Sequence, residues 1–296
     1  MTTTDRRREN LRGIAWMIAA VAALSFMDAC LKALSPHYPA MQVAALRGLT
    51  SLPIVVLYVA WRRRFATVWR VRWPLHLLRG AMGIAMLSAF SYALRTLPLT
   101  EAYTLFFVAP LIITALSAPI LGERVGAARW VAIGIGFAGV LVVLRPTGEG
   151  VISWPGLAVL GAATGYALSA ITVRVLSRTD STESMVFWLT TMLSVGATAI
   201  AAPAWVAVAL EHWPILATLA VTGALGQYAI TEAFRRGEAS VVAPFEYTAL
   251  AWGLALDFAL WGVLPDEIVY VGAAIIVASG IYLVHRERVH VEAEHP

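Results

Sequence analysis

The chain has 296 residues, of which 59% are hydrophobic and 14% are charged, and its formal net charge is +4. Soluble domains average about 45–50% apolar and about 25% charged residues. This composition therefore excludes an ordinary water-soluble protein and indicates a membrane protein. Because the positive charges lie in short loops between apolar segments, they do not indicate a nucleic-acid partner, and we expect membrane lipid and a small-molecule substrate as partners.

Ten apolar segments follow one another along the chain, and each is long enough, or nearly so, to cross a bilayer as a helix. None shows the alternation of a strand, and a backbone in lipid must satisfy its own hydrogen bonds, so an all-α polytopic fold of ten transmembrane helices is predicted. No room is left for a separate soluble domain. The predicted segments cover residues 13–34, 39–61, 75–94, 99–121, 129–144, 155–176, 184–207, 213–234, 241–263 and 267–285.

The first segment raises the question of a signal peptide, because it follows four arginines between Arg6 and Arg12. It also carries Asp28 and Lys32 near its end, and no clear small-residue cleavage site follows it. We therefore predict that it is retained as the first transmembrane helix.

The second half of the sequence repeats the first at an offset of about 140 residues. Residues 93–111 align with 233–251, and the Ala-Leu-Arg at 93–95 meets the Ala-Phe-Arg at 233–235. Each copy holds five segments, and two fused copies of an odd-numbered unit lie in opposite orientations, an architecture found in many secondary transporters. The predicted organisation is an N-terminal tail (1–12), a first repeat (13–145), a second repeat (155–285) and a C-terminal tail (286–296).

The distribution of Lys and Arg predicts the orientation. If the N-terminus is cytoplasmic, 17 basic residues fall on that side and only Lys32, Arg95 and Arg145 on the other, while Arg47 and Arg79 lie within segments. Both termini are therefore expected in the cytoplasm. The same asymmetry supports an even number of helices.

A family resemblance rests on a short signature in the fourth and fifth segments. The signature consists of Pro110-Leu111, Leu121-Gly122-Glu123, and the glycines Gly134, Gly136 and Gly139. It resembles the EamA-type branch of the drug/metabolite transporter superfamily, over residues 13 to 285. In the second repeat, Val263 stands where the first has Glu123.

The resemblance implies ten helices in two repeats around a central cavity. It further implies a secondary transporter that exports small amphipathic metabolites across the bacterial inner membrane by alternating access, with aromatic or other neutral amino acids favoured. Transport of drugs, nucleotides or other metabolites by the same fold is the alternative, and a non-transporting membrane scaffold is a weaker one. Two fused halves make a monomer sufficient.

Ionisable residues inside a bilayer are costly, so they need a structural or functional reason. Asp28 and Lys32 are spaced for an i,i+4 ion pair, and Arg47 enters the next segment from the same side. These three are expected either to gate or couple transport, or to form a structural clamp that neutralises their charges.

Two acidic residues lie in the ninth segment. Glu246 and Asp257 are eleven residues apart, which at 100° per residue brings both to one helix face, within about 20°. Glu246 is a candidate for binding a substrate amine or for protonation during transport, and Asp257 for gating or coupling. Solvation at the ends of the helix is the alternative for both.

Polar and aromatic side chains on the third, fourth, sixth, eighth and ninth segments are candidate cavity residues, since rings can stack on a substrate or contact a cation. Packing or interfacial anchoring is the alternative. With Glu246, the expected substrate-binding residues are Tyr92, Tyr103, Phe106, Tyr166, Gln227, Tyr228 and Trp252.

Enzymatic chemistry is not expected. The sequence has no P-loop, HExxH or Gly-x-Ser-x-Gly motif, and its six histidines fall at segment ends, in loops or in the tail. The single Cys30 has no disulfide partner and does not indicate a metal site. We therefore expect neither a metal nor a cofactor.

Overall fold

The computed structural model describes residues 3–63, 65–69, 71–121, 127–144, 153–237 and 242–293. Within these ranges the fold is all-α, as predicted, with ten helical segments that we number 1 to 10 in chain order. The signature residues Gly122 and Glu123 and the predicted boundary at 145 lie outside the described residues. The segments are 1 (Thr3–Leu34), 2 (Ala40–Trp61), 3 (Trp73–Ala93), 4 (Leu99–Phe106 and Val108–Leu121), 5 (Ala127–Leu144), 6 (Trp154–Leu176), 7 (Thr182–Met192, a π turn Leu193–Ala197, and Thr198–Ala201), 8 (Trp213–Arg236), 9 (a 3-10 helix Ala243–Thr248 and Ala249–Trp261) and 10 (Glu267–Ala293).

Local sequence signals account for where these helices begin and end. Ser153 and Ser181 cap segments 6 and 7 by accepting hydrogen bonds from backbone N–H groups three residues later. Gly262 ends segment 9 with a left-handed φ of 65°, a conformation that glycine adopts without a steric penalty. Segment 4 is interrupted at Phe107 because Pro110 has no N–H to donate to the carbonyl of Phe106.

Several element bounds differ from the predicted ones. Segment 1 begins at Thr3 and segment 10 runs to Ala293, so most of both predicted tails is helical. Segment 7 gives way to a 3-10 turn that ends at Ala204, and residues 205–209 are extended. A short helix, Phe65–Val68, lies in the predicted 62–72 loop.

The packing of the segments follows the repeat. Segment 1 packs on segment 8, and segment 3 packs on segment 6. These two contacts are equivalent, because segments 1 and 3 of the first repeat correspond to segments 6 and 8 of the second. Segments 2 with 7, 4 with 9 and 5 with 10 also pack as equivalent partners. This pairing brings the two repeats together along their whole length, with the hydrophobic core between them.

The hydropathy of the helices fits a membrane location. Among the described residues, six helical stretches have the length and apolar composition to cross a bilayer: Glu9–Leu34, Ala40–Trp61, Leu99–Leu116, Trp154–Leu176, Thr182–Ala204 and Leu210–Arg236. Large apolar side chains such as Leu57, Ile200 and Phe258 are exposed on the outside of the bundle, where lipid would cover them.

Because consecutive segments are antiparallel, the bundle has two ends, which we name by their residues. The arginine-rich end holds Arg12, Arg62, Arg72, Arg178 and Arg236, where segment 1 starts and segment 8 stops. The opposite end holds the 35–38 and 94–98 turns and the extended stretch 205–209.

Hydrogen bonds between the repeats close the opposite end. The Gln42 side chain donates to the Val206 carbonyl at 2.6 Å and accepts from the Val206 N–H at 2.9 Å. The Tyr38 hydroxyl lies 2.7 Å from Nδ1 of His212 and accepts from the Ala209 N–H at 3.0 Å. We refer to Tyr38, Gln42, Val206, Ala209 and His212 as the opposite-end latch.

The arginine-rich end has its own contacts between the repeats. The Asp180 carboxylate lies 2.8 Å from Nε2 of His76 and accepts from the Arg72 N–H at 3.2 Å. Burial favours a higher pKa for Asp180, but hydrogen bonds from Thr179, His76 and the Arg72 backbone outweigh it and lower its pKa. Trp188 also donates to the Val68 carbonyl at 2.7 Å.

Candidate functional site

A cavity lies in the middle of the bundle between the two repeats. It has a volume of about 170 Å³, measured as the space open to the centres of water molecules. Eight of the ten segments contribute to its wall. The polar and aromatic lining residues are Ser25, Asp28, Arg47, Arg79, Phe90, Tyr103, Phe106, Phe107, Tyr166, Ser169, Gln227, Thr231, Phe234 and Glu246. Such a concave, largely apolar space with a few charged groups is the usual form of a small-molecule site.

Two tyrosine–carboxylate pairs lie in the wall of this cavity. Tyr103 of segment 4 donates to Asp28 of segment 1 at 2.9 Å, and Tyr166 of segment 6 donates to Glu246 of segment 9 at 2.9 Å. Swapping the repeats exchanges segments 1 and 4 with 6 and 9. The two pairs are therefore equivalent in the fold, although tyrosine and acid have changed places. No basic side chain of the described residues makes an ion pair with either carboxylate.

Two arginines form another part of the wall. Arg47 of segment 2 donates to Gln227 Oε1 at 3.0 Å and approaches the Met27 sulfur at 3.1 Å. Arg79 of segment 3 donates to Ser169 Oγ at 3.3 Å and to the Met185 carbonyl at 3.0 Å. Within the described part of the chain, only neutral groups are hydrogen-bonded to these two side chains. Both are buried, with exposed fractions of 7% and 3%.

Aromatic rings cover the apolar part of the cavity. Phe106 packs edge-on against Phe90 at 5.7 Å and tilted against Tyr166 at 5.3 Å, measured between ring centroids. Phe234 lies 6.4 Å from the Tyr166 ring. These rings connect the two tyrosine–carboxylate pairs, so a bound molecule would meet charged groups and aromatic faces together.

The structure brings seven of the twelve predicted site residues to the cavity. These are Asp28, Arg47, Tyr103, Phe106, Tyr166, Gln227 and Glu246.

Three predicted substrate-binding residues lie outside the cavity lining. The Tyr92 side chain is 43% exposed on the outside of segment 3. Tyr228 packs against Trp16 and Tyr58 between segments 1, 2 and 8, and Trp252 packs on Phe26. The sequence places each ring on its predicted segment, but it does not determine which side of the helix the ring occupies.

The remaining two residues, Lys32 and Asp257, pair with each other. Lys32 Nζ lies 2.6 Å from Asp257 Oδ1, so the predicted Asp28–Lys32 ion pair is wrong. Asp257 also accepts from the N–H groups of Leu99 and Thr100 and from the Thr100 hydroxyl. It is fully buried, so the alternative of solvation at a helix end does not hold for it.

Glu246 and Asp257 do not share one face of a regular helix. Glu246 belongs to the 3-10 part of segment 9 and Asp257 to its α-helical part. The change in residues per turn invalidates the 100° count. Glu246 therefore lies in the cavity, while Asp257 ties segment 9 to segments 1 and 4 near the opposite end.

Arg79 lines the cavity but is not among the site residues predicted from the sequence. Like Arg47, it is an arginine within a predicted apolar segment. Arg79 could have been predicted from the sequence, because a charged side chain within an apolar span is costly and often marks a functional site. This argument applies equally to Arg47 and Arg79.

Sequence comparisons agree with this architecture. The EamA-like transporter family model matches residues 11–145 and 153–285. The chain is similar to the pseudopaline exporter CntI of Pseudomonas aeruginosa, at 27% identity over 276 residues, 92% of this chain and 95% of the relative. It is also similar to a riboflavin transporter of Vibrio cholerae, at 28% over 281 residues and 94% of each chain.

A relative of a different substrate class and a solved structure extend the comparison. An S-adenosylmethionine uptake transporter of Rickettsia conorii is 25% identical over 291 residues, which cover 98% of each chain. A solved structure described as "Crystal structure of protein" superposes with a TM-score of 0.67 at 19% identity, covering 95% of this chain and 99% of the other. That likeness shows the shared fold. With both halves of the sequence matched, the chain belongs to the EamA-like transporter family and is a multi-pass membrane transporter rather than an enzyme.

Proposed function

We propose that this transporter exports small amphipathic metabolites, with amino acids as the favoured class, across the bacterial inner membrane by alternating access. The central cavity carries the proposal, because it lies between two equivalent repeats and combines charged groups with aromatic rings. Tyr103, Phe106, Tyr166, Gln227 and Glu246 are the proposed substrate-binding residues. Rocking of one repeat against the other would expose the same cavity to each side in turn.

Asp28 and Arg47 are proposed to couple substrate binding to this movement. Asp28 is bonded to Tyr103 across segments 1 and 4, and Arg47 is bonded to Gln227 across segments 2 and 8. Each bond therefore joins two segments that line the cavity. A substrate that competes for either group would loosen that connection.

The orientation proposed for the bundle has both termini in the cytoplasm, so the arginine-rich end faces inwards. The positive-inside rule supports it, given the 17 basic residues predicted for that side and three for the other. A single chain holds both repeats and the whole cavity, so a monomer is proposed to be sufficient.

A larger amphoteric metabolite is a second candidate substrate. The relatives include a riboflavin transporter and an S-adenosylmethionine uptake transporter, which widens the size of substrate that the family accommodates. The relatives also include both an exporter and an uptake transporter, so direction has to be measured for this chain.

Transport by purified protein in proteoliposomes tests the proposal. We expect exchange of labelled amino acids, measured in both directions against riboflavin and S-adenosylmethionine. Tyr103→Phe removes the hydroxyl that donates to Asp28 and should reduce transport at least tenfold, while the matched Tyr92→Phe, outside the cavity, should leave it unchanged. No exchange of any amino acid, or equal transport by both variants, would refute the proposed function.

A further inference from the structure

Among the described residues, no acidic side chain makes an ion pair with either arginine of the cavity. Two buried acids outside the cavity do pair with a basic side chain: Asp257 contacts Lys32 at 2.6 Å, and Glu232 contacts Arg236 at 2.6 Å. Arg47 and Arg79 instead bond neutral oxygens and sulfur, and neither lies within 4.0 Å of a carboxylate oxygen among the described residues. The wall around them is therefore rich in positive charge.

The position of Asp28 reduces this positive charge without cancelling it. Asp28 is near enough to Arg47 for electrostatic attraction but makes its hydrogen bond to Tyr103. Two guanidinium groups and one carboxylate leave a formal charge of +1 on this side of the cavity. Buried charges left uncompensated are strongly destabilising, so a bound anion would be stabilised here, and the planar guanidinium groups match a carboxylate.

Glu246 lies on a different wall. Segment 9, which carries it, packs on segments 1, 4 and 10, whereas the arginines belong to segments 2 and 3, which pack on each other and mainly on segments 6, 7 and 8. Segment 6 borders both walls, because its Tyr166 bonds Glu246 and its Ser169, one turn away, bonds Arg79. Only the Tyr166 hydroxyl is hydrogen-bonded to Glu246 among the described residues. The carboxylate is 7% exposed, so this wall has a formal charge of −1 and would stabilise a bound cation.

Aromatic rings occupy the space between the two walls. Phe106 contacts both Phe90 and Tyr166, and Tyr166 is the residue that holds Glu246. A ligand that reaches from the arginines to Glu246 therefore passes along ring faces, which suit an aliphatic or aromatic linker.

We infer that the cavity binds a zwitterion with well-separated charges, its carboxylate on Arg47 and Arg79 and a distal amino group on Glu246. The inference rests on the proposed amino-acid transport, but it replaces the neutral amino acids that the resemblance implies with amino acids that carry a second, distal amino group. The α-ammonium of such an amino acid adds one further positive charge, for which Asp28 is the remaining acid of the cavity. With two positive and two negative groups, the cavity is formally neutral. A ligand with separated positive and negative charges is attracted to both walls. A lipophilic cation would be repelled by the two arginines, and a phosphate dianion would be repelled by the two acids.

Binding of three related ligands to the purified protein tests this inference. Lysine has both charged ends, norleucine lacks the distal ammonium, and cadaverine lacks the carboxylate. We expect lysine to bind roughly tenfold to a hundredfold more tightly than either analogue, the range expected for losing a hydrogen bond to a charged group. Isothermal titration or tryptophan fluorescence gives the dissociation constants.

Two variants connect each end of the ligand to its wall. Arg79→Gln should weaken lysine and norleucine but not cadaverine, and Glu246→Gln should weaken lysine and cadaverine but not norleucine. The ligand that each variant leaves unaffected shows that the variant is folded. Arg62→Gln, a change at an exposed arginine outside the cavity, is the control and should leave all three affinities unchanged.

The outcomes separate this inference from the proposed function. If norleucine binds as tightly as lysine, and Glu246→Gln changes neither affinity, the charge-separated zwitterion is wrong while amino-acid transport stands. If Arg79→Gln weakens cadaverine as much as lysine, the arginines do not bind the carboxylate and the inference is also wrong. Binding of none of the three, together with no amino-acid exchange in proteoliposomes, refutes both.

Discussion

At the scale of single residues, Gly48 marks a close approach between the two repeats. It lies on segment 2 where that helix crosses the π turn of segment 7. A Cβ atom added at Gly48 would stand 2.5 Å from the backbone nitrogen of Ser194 and 2.8 Å from the carbonyl carbon of Leu193. Both are backbone atoms, so the contact can be relieved only by moving one helix away from the other.

We therefore predict that Gly48→Ala destabilises the protein. Overpacking in a well-packed interior costs about 1–3 kcal/mol, which should appear as a lower thermal unfolding midpoint in detergent. Gly161→Ala is the matched control, because a Cβ there would have no neighbour within 4 Å and alanine is the better helix former by about 1 kcal/mol. Equal unfolding midpoints for the two variants would show that the close approach of segments 2 and 7 at Gly48 is not required for stability.

Residue-level features were predictable from the sequence where a charge stood alone in an apolar span. That rule selected Asp28, Arg47 and Glu246, and all three line the cavity. It did not give their partners. Helical spacing predicted that Lys32 pairs with Asp28, whereas its partner in the structure is Asp257. Lys32 and Asp257 are more than 200 residues apart in sequence, and only the tertiary fold brings them together.

At the scale of helices, segments 4 and 9 are equivalent in the two repeats and both are interrupted, and Asp257 connects them. It accepts hydrogen bonds from the first two N–H groups of segment 4, at 3.1 Å from Leu99 and 2.8 Å from Thr100. It thus satisfies donors that a helix start leaves free. Lys32 of segment 1, itself over the Trp261 ring at 4.2 Å, completes the junction.

A double-mutant cycle on Lys32 and Asp257 should show strong coupling. We expect Asp257→Asn to be the more damaging single change, by about 3–5 kcal/mol, because it leaves Lys32 without its acid and weakens the start of segment 4. Adding Lys32→Met to it should cost little more. The measurement is the free energy of unfolding of the two single variants and the double variant.

The exposed pair Arg12–Glu9 provides the comparison for that cycle. The Arg12 side chain is 51% exposed, so Arg12→Gln should change stability by no more than about 1 kcal/mol. Additive effects of Lys32→Met and Asp257→Asn would mean that their 2.6 Å contact does not contribute to stability.

Helices were predicted in the right number and order because each span needs a long apolar run, and loops between them carry breakers. Their ends were less predictable. The stretch 205–209 is apolar, like a helix, yet it is extended because its Val206 backbone bonds the Gln42 side chain of the other repeat. Contacts of this kind depend on tertiary structure and leave no local pattern in the sequence.

At the scale of the whole molecule, the two repeats have the same arrangement of segments in opposite orientations, so the two ends of the bundle are built alike. The structure closes one of them with the opposite-end latch, in which Gln42 and Tyr38 of the first repeat bond Val206, Ala209 and His212. The proposed alternating access requires these residues to separate in part of the transport cycle. The latch is therefore a place where conformational balance can be shifted by a small change.

Gln42→Leu is predicted to open the opposite end more often, because it removes both bonds to Val206 at once. Each bond contributes about 1 kcal/mol, so the open population should rise roughly tenfold or more. Cys30 reports the change, because this single cysteine is buried near the end of segment 1 on that side. We expect its labelling by a thiol reagent to accelerate by a similar factor at constant pH.

The control for this measurement lies at the arginine-rich end. Trp188→Phe removes the bond to the Val68 carbonyl there and should leave Cys30 labelling unchanged. If both variants accelerate labelling equally, the bundle has loosened as a whole. If Gln42→Leu leaves the labelling rate unchanged while the protein stays folded, the bonds to Val206 do not hold the opposite end closed. Removing bonds that limit opening must change the access of a reagent to the Cys30 thiol behind them.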